Sequence, residues 1–221
     1  MPSGRHWRNM NKRIMLKASI RELNHLLGNI DIYLLDQILK ARFEQNFKIL
    51  DAGCGEGRNI IYFVRNEYQV YGIDKNKDAI QMLKYLVKSI NKTYPPDRFI
   101  TGNVEKMPYE QHEFDAIISS AVLHFADNKN HFLSMVGELV RVLKPNGILF
   151  ARMATSEGME DKIKPLGSGK YLLPDDSVRF LLTRELLDEI TLHYGFEFVE
   201  PFKTVIVDDL RCMSTLVLKK T

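Results

Sequence analysis

The stretch Phe47-Lys48-Ile49-Leu50-Asp51 runs straight into Ala52-Gly53-Cys54-Gly55-Glu56-Gly57, and no other part of the chain limits its fold as tightly. A short apolar run that stops in glycines suits a buried strand, and residues Arg58 to Asn66 read as the helix that follows. A strand, glycine loop and helix in that order belong in an open parallel sheet. There the loop leaves the carboxyl end of the strand and borders a ligand crevice. Backbone N–H groups and the helix dipole can face a ligand at that point, and a side chain on the glycines would block its close approach.

The rest of the chain keeps the same rhythm. Gln69–Asp74, Arg98–Thr101, Phe114–Ser119 and Ile148–Arg152 read as further strands, and Asp78–Ile90 and Lys129–Leu143 as helices between them. Strands alternating with helices imply right-handed crossovers and a mostly parallel sheet covered on both faces. Upstream, Ile20, Leu23, Leu26 and Leu27 form a helical stripe that Gly28 ends. Asp31 then caps a second helix carrying Leu34, Leu35, Ile38 and Leu39. Residues 1–45 therefore read as an N-terminal helical extension and 46–221 as the main domain. Residues 155–182, rich in glycine, proline and mixed charge, break the rhythm and are a candidate lid over the crevice. Thr183 caps a helix from Arg184 to Tyr194 that Gly195 ends. Phe196–Phe202 and Met213–Leu218 follow as two final strands, paired antiparallel through Asp208-Asp209-Leu210. The architecture expected is a doubly wound α/β sheet of seven strands, mostly parallel, with an antiparallel last strand and an N-terminal helical cap.

The loop by itself does not name its ligand. A dinucleotide fingerprint would place a third glycine where Arg58 stands, and a Walker A loop would follow Gly57 with Lys-Ser/Thr rather than Arg58-Asn59. Asp74, at the end of the second strand, can accept hydrogen bonds from both hydroxyls of a ribose. That logic fits a nicotinamide dinucleotide equally well.

Five segments taken together narrow the choice. Ile49 to Gly57 resembles the first motif of the class I S-adenosylmethionine-dependent methyltransferases. Tyr71-Gly72-Ile73-Asp74 is similar to their acidic second-strand motif, and Gly102-Asn103-Val104-Glu105-Lys106-Met107-Pro108-Tyr109 to their loop after the third strand. Phe114 to Ser119 with Val122-Leu123-His124 looks like their fourth-strand segment, and Leu143 to Leu149 like the turn before their fifth strand. Gly57-Arg58-Asn59 is similar to the methyltransferase type 11, tellurite-resistance-like small-molecule branch. The resemblance implies a Rossmann-like fold and S-adenosylmethionine as cofactor. It implies a cofactor set of Asp51, Gly53, Cys54, Gly55, Arg58, Asp74, Lys75, Asn103, Val104 and Ser119. Asp51 would support the amino group of the methionine part, Asp74 the ribose, and Asn103 with Val104 the adenine. The family often carries aspartate where Asn103 stands.

Methyl transfer from a sulfonium is an in-line displacement with a good leaving group, so the protein mainly aligns the reactants and excludes water. His124 is the histidine nominated as catalytic, a general base for an oxygen or nitrogen nucleophile. Arg152, Tyr171 and Arg179 are candidate substrate contacts, with Lys162, Lys164 and Lys170 in the same segment able to meet an anion. Trp7 and Tyr33 could close the other side. The acceptor expected is a small molecule. One alternative is RNA or protein docked on the basic residues Arg5, Arg8, Lys12, Arg13, Lys17 and Arg21. A non-catalytic S-adenosylmethionine-binding regulatory protein is another. A net charge of +3 gives no general attraction to nucleic acid, so that partner is not favoured. The absence of a long apolar run argues against a membrane partner, no cysteine–histidine cluster has metal-ligand spacing, and two unpatterned cysteines suit a reducing, cytoplasmic setting.

Overall fold

A computed structural model describes residues Ser19–Thr221. The basic residues from Arg5 to Lys17, and Trp7, lie outside the described residues. Strands β1 (Lys48–Ala52), β2 (Gln69–Asp74), β3 (Phe99–Thr101), β4 (Phe114–Ser120) and β5 (Leu143–Thr155) pair in parallel in the order β5-β4-β1-β2-β3. The order reverses beside β1, which puts the crevice at its carboxyl end. Successive residues serve opposite faces. Ile49, Val70, Ile118 and Phe150 pack with Leu34 of α2 (Ile32–Leu39), Phe63 of α3 (Ile61–Arg65) and Leu83 of α4 (Lys77–Ile90). Leu50, Ile73, Ile117 and Leu149 pack with Phe132 of α5 (Lys129–Val142) and Leu187 of α6 (Arg184–Tyr194). Phe63, Phe99 and Phe150 in one layer and Phe114, Phe132 and Phe180 in the other are fully enclosed. Each contributes about 1.5–3 kcal/mol through burial. The expected doubly wound fold is therefore present.

The differences have local causes. The turn at Lys144–Gly147 does not end the pairing; β5 bulges there, shifting register between Phe114 and Ala116, with Asn146 at φ 63°. Helix α3 is shorter than expected because Gly57 and Ile60 close consecutive turns onto Cys54 and Gly57 before the helix begins. The antiparallel last strand is β11 (Arg211–Lys220), running along β5. The strand expected at Phe196–Phe202 is instead β9 (Phe196–Phe198), interrupted at Pro201, which has no N–H to offer. A separate β10 (Lys203–Val207) resumes the edge. The sheet path has seven strands, and β9 adds a short eighth. Residues 155–182 are not irregular throughout. β6 (Lys164–Gly167), β7 (Lys170–Leu172) and β8 (Val178–Phe180) form a small antiparallel sheet. Phe180 pins it by stacking on Phe132 at 4.9 Å, and Leu182 N–H donates to the carbonyl of Ala154.

In the N-terminal region, Ser19 and Glu22 make a capping box at the head of α1 (Ile20–Leu27), yet no residue of that helix is buried. Helix α2 is integral to the core, and Asp31 is the reason. Its Oδ1 accepts the Tyr33 amide at 3.0 Å, the expected cap. Its Oδ2 accepts from Arg152 Nη1 at 2.8 Å and Ser120 Oγ at 3.1 Å, and its own N–H donates to Asn59 Oδ1 at 3.1 Å. This one residue, 4% exposed, thus joins α2 to the ends of β4 and β5 through its carboxylate and to the turn after the glycine loop through its N–H. Removing it would leave Arg152 without its carboxylate partner. Asp31→Ala is expected to lower unfolding free energy by about 3 kcal/mol in urea titration. Asp31→Asn, which keeps a capping oxygen, should lose roughly half of that. A change below about 0.5 kcal/mol for both would mean the cluster adds little to stability.

Candidate active site

The glycine loop is held from behind. The amides of Gly53 and Cys54 both donate to the Ile73 carbonyl at the end of β2, at 2.8 and 3.1 Å. Gly55 N–H donates to Asp74 Oδ2 at 2.8 Å, and Gly57 N–H to the Cys54 carbonyl at 2.9 Å. This corrects the expectation that the loop's amides face a ligand. Those four are already paired, so they cannot cradle a phosphate. Gly53 is nonetheless required: at φ 86°, a Cβ there would lie 2.3 Å from Val122 Cγ2.

In front of the loop lies a cleft of about 700 Å³. Of the sequence-predicted residues it brings together Gly53, Asp74, Lys75, Asn103 and Val104. The others lie outside its lining. Asp51 is 2% exposed, beneath the loop, and its Oδ2 has no hydrogen-bond partner. Burial raises its carboxyl to about 7; nearby Arg58 opposes that rise and Asp74 adds to it. Ser119 is wholly enclosed in β4, with an unpartnered Oγ. Cys54 turns its thiol into the core toward Gly72, where burial and the neighbouring carboxylates push its pKa up. Arg58 points to Asp31, 3.6 Å away, rather than into the cleft. The cleft also contains residues that sequence reasoning missed: Glu105, Phe125, His131 and Met135 among them. His131 and Met135 sit one helical turn apart on α5, and nothing local in the sequence marks that face as ligand-bearing.

A second cleft, of about 660 Å³, meets the first at Ala121, which lines both. Ala121 has φ 62°, costly for a side chain by about 1 kcal/mol. Its N–H donates to the Arg152 carbonyl at 2.7 Å. His124, Arg152 and Arg179 line this second cleft, together with Asp175, Ser177 and Arg211, which were not foreseen. Arg211 and Asp175 are brought in by the β10–β11 hairpin and the small sheet, whose mutual packing no sequence pattern announces. Tyr171 is a correction: its ring packs on the cluster of Ala154, Leu173 and Leu181 and borders a separate groove with Glu157 and Arg184. Lys162 and Lys170 are paired with Asp209 and Asp127, and Lys164 stands exposed on β6. Tyr33 covers Arg152, whose guanidinium lies 4.6 Å from its ring centre.

His124 is 6% exposed, and its Nδ1 accepts the Ala154 amide at 3.2 Å. The proton of the neutral ring must therefore sit on Nε2. Burial lowers its pKa to about 4, with the positive charges of Arg179 and Arg211 adding to the effect. The ring presents a donor and has no free lone pair, which corrects the expected role of general base.

These features select the ligand of the first cleft. A carboxylate oxygen without a partner beneath the loop, Asp74 at its rim and no free loop amides among those named suit a ligand with a cationic end and hydroxyls, not a phosphate. The residues present thus fit S-adenosylmethionine.

Comparison with known proteins agrees. Residues 50–151 match the family model described as a methyltransferase domain. An uncharacterized methyltransferase of Bacillus subtilis, YodH, is 31% identical over 164 residues, which cover 73% of this chain and 64% of that protein. The chain spans under two thirds of the length of the curated relatives cited, another being an uncharacterized methyltransferase of Synechocystis that is 44% covered. Among solved structures, an S-adenosylmethionine-dependent methyltransferase from Methanosarcina mazei superposes with a TM-score of 0.69 at 20% identity, over 83% of this chain and 96% of that one. The 1,6-didemethyltoxoflavin-N1-methyltransferase of Burkholderia thailandensis, solved with 1,6-didemethyltoxoflavin and S-adenosylhomocysteine, gives 0.64 at 16% identity, over 100% and 92%. These structural likenesses show a shared fold. Residues 50–151, which carry the glycine loop and the cleft in front of it, thus match a methyltransferase domain, on a fold shared with S-adenosylmethionine-dependent methyltransferases.

Proposed function

We propose that the protein transfers the methyl group of S-adenosylmethionine to a small molecule held in the second cleft. The observation that carries this reading is the junction of two clefts at Ala121, one suited to the cofactor and one open beside it. A non-catalytic binding protein would have no use for the second space. The Burkholderia neighbour, solved with a small heterocycle and S-adenosylhomocysteine, supports a small acceptor. Among the described residues no helix is long and apolar enough to cross a membrane. The free thiols of Cys54 and Cys212 fit a reducing compartment, and a cytoplasmic location is part of the reading.

When bound, the cofactor supplies an electrophilic methyl on a positive sulfur. In this reading Asp74 holds the ribose hydroxyls, Asn103 and the Val104 backbone contact the adenine, and Asp51 faces the ammonium of the methionine part. The unpartnered hydroxyl of Ser119, at the end of β4, belongs to the same cofactor set. Residues 155–182 form the lid over the acceptor, and Tyr33, in the described part of the N-terminal extension, covers Arg152 beside it. His124 serves as a hydrogen-bond donor through Nε2, orienting the acceptor without taking its proton.

Calorimetry with S-adenosylmethionine and S-adenosylhomocysteine should show binding, and Asp74→Ala should weaken it about 10- to 100-fold, the worth of hydrogen bonds to a charged group. No binding by the intact protein would sink the proposal.

The buried Asp51 gives a pH signature. Its folded pKa, about 7, lies above the unfolded value, so the ligand-free fold binds the proton more tightly. The contribution to stability is complete below the unfolded pKa and is lost as pH rises through about 7. Ligand binding runs the other way, because the ammonium needs the ionised carboxylate. Affinity for S-adenosylmethionine should therefore fall as pH drops from 8 to 6, and Asp51→Asn should flatten that dependence in calorimetric titrations. A profile identical in the variant would remove Asp51 from the site.

For His124, nitrogen-15 NMR of the labelled ring should show the Nε2–H tautomer, with no protonation down to about pH 5. An Nδ1–H ring would restore the general-base role.

A further inference from the structure

The second cleft has a mixed lining that the methyl-transfer reading leaves unexplained. Leu173, Val207 and Met213 supply apolar surface, and Arg152, Arg179 and Arg211 supply positive charge. Two of these are partly neutralised, Arg152 by Asp31 and Arg211 by Asp175 at 3.3 Å. Arg179 has no acidic partner among the described residues. Its guanidinium lies 5.0 Å from the centre of the Phe125 ring, and Phe125 lines the cofactor cleft, so the unneutralised charge sits where the two spaces approach each other. Arg152 also keeps a buried Nε with no hydrogen-bond partner.

Among the described residues that line the cleft, each side chain able to accept a proton is already engaged. The His124 Nδ1 lone pair is filled by the Ala154 amide. The Asp175 carboxylate is bound on one oxygen by the amide and hydroxyl of Ser177 and on the other by Arg211. A hydroxyl or ammonium acceptor must lose a proton during methylation, and these lining side chains offer it no place to go. An acceptor already ionised at neutral pH needs none, and it is attracted by an excess of guanidinium charge.

Resting on the methyltransferase reading above, we infer that the acceptor is a small organic acid with an apolar body, methylated on its own carboxylate in the Arg179–Arg211 cleft. The carboxylate oxygen gains the methyl carbon. The carbon–sulfur bond breaks, and its electron pair stays on sulfur. A sulfonium and a carboxylate become a neutral sulfide and a neutral ester, so no proton is released. The same transfer to an alcohol, thiol or protonated amine releases one proton per turnover.

The test uses the full chain and three acids, benzoate, cinnamate and decanoate, with their primary amides as uncharged controls. Binding of each to the S-adenosylhomocysteine-loaded protein is followed by calorimetry. Turnover is followed as S-adenosylhomocysteine formed from S-adenosylmethionine, with proton release read by an indicator in weak buffer. Acids should bind at least tenfold more tightly than their amides, and methylation of an acid should release no proton. Arg179→Gln and Arg211→Gln should each weaken acid binding tenfold or more while leaving the Kd for S-adenosylmethionine within twofold. Arg179 is partly exposed, so an unchanged melting temperature in its variant separates lost binding from lost folding. Equal affinity for acids and amides, one proton per turnover, wild-type acid binding in Arg179→Gln, or no binding by any of the acids would overturn the inference. In those cases S-adenosylmethionine binding would leave the methyltransferase reading standing. Failure to bind S-adenosylmethionine at all would instead remove that reading and this inference with it.

Discussion

Two amides on one carbonyl set the geometry of this molecule. By donating to Ile73, Gly53 and Cys54 fasten the glycine loop to the neighbouring strand. Gly55 continues the attachment onto Asp74. The loop is thereby held open, since its backbone is already bonded and has no reason to collapse into the crevice. The same bonds decide its chemistry. A loop that turns its donors inward leaves the crevice to carboxylates and shape, so the site is matched to a positively charged ligand. A superficially similar glycine loop in a phosphate-binding protein does the opposite with the same residue type.

Much of this was legible in the sequence, and the parts that were not share a cause. The parallel core, the capping roles of Asp31 and Thr183 and the location of Asp74 all follow from local pattern. So does the need for glycine at Gly53. What escaped were contacts made between segments far apart in the chain. Asp31 and Arg152 meet across 121 residues of sequence, and Arg211 and Asp175 across 36. His131 enters the cofactor cleft because α5 happens to begin beside it. Residues 155–182 looked irregular because short strands that are uniformly exposed (β6) or uniformly half-buried (β7) carry no alternation. Glycine identity was read correctly but amide direction was not, because the direction depends on a carbonyl in another strand.

His124 shows how one hydrogen bond can reverse a chemical role. Position alone, after β4 and beside the crevice, made it a natural base. The Ala154 amide fills the lone pair that a base needs, and burial beside guanidinium groups disfavours the charged ring. The result is a neutral donor within a positively charged wall. The two clefts differ accordingly. Asp74 and Glu105 line one, beside Lys75 and His131, and three guanidiniums line the other, with a strained alanine where they meet.

The interrupted sheet edge has a bearing on how such a protein diversifies. The cofactor cleft is built from the ends of central parallel strands, where a substitution disturbs both layers of the core. Arg211 and Val207 instead belong to the outermost hairpin, whose turn at Asp208 and Asp209 is exposed and already uses positive φ angles. That hairpin can lengthen, shorten or change its side chains with little effect on the sheet behind it. Inheritance of the donor and invention of the acceptor are thus assigned to separate regions of one fold. Under the proposed function, a lineage could change what is methylated many times over without relearning how the methyl donor is held.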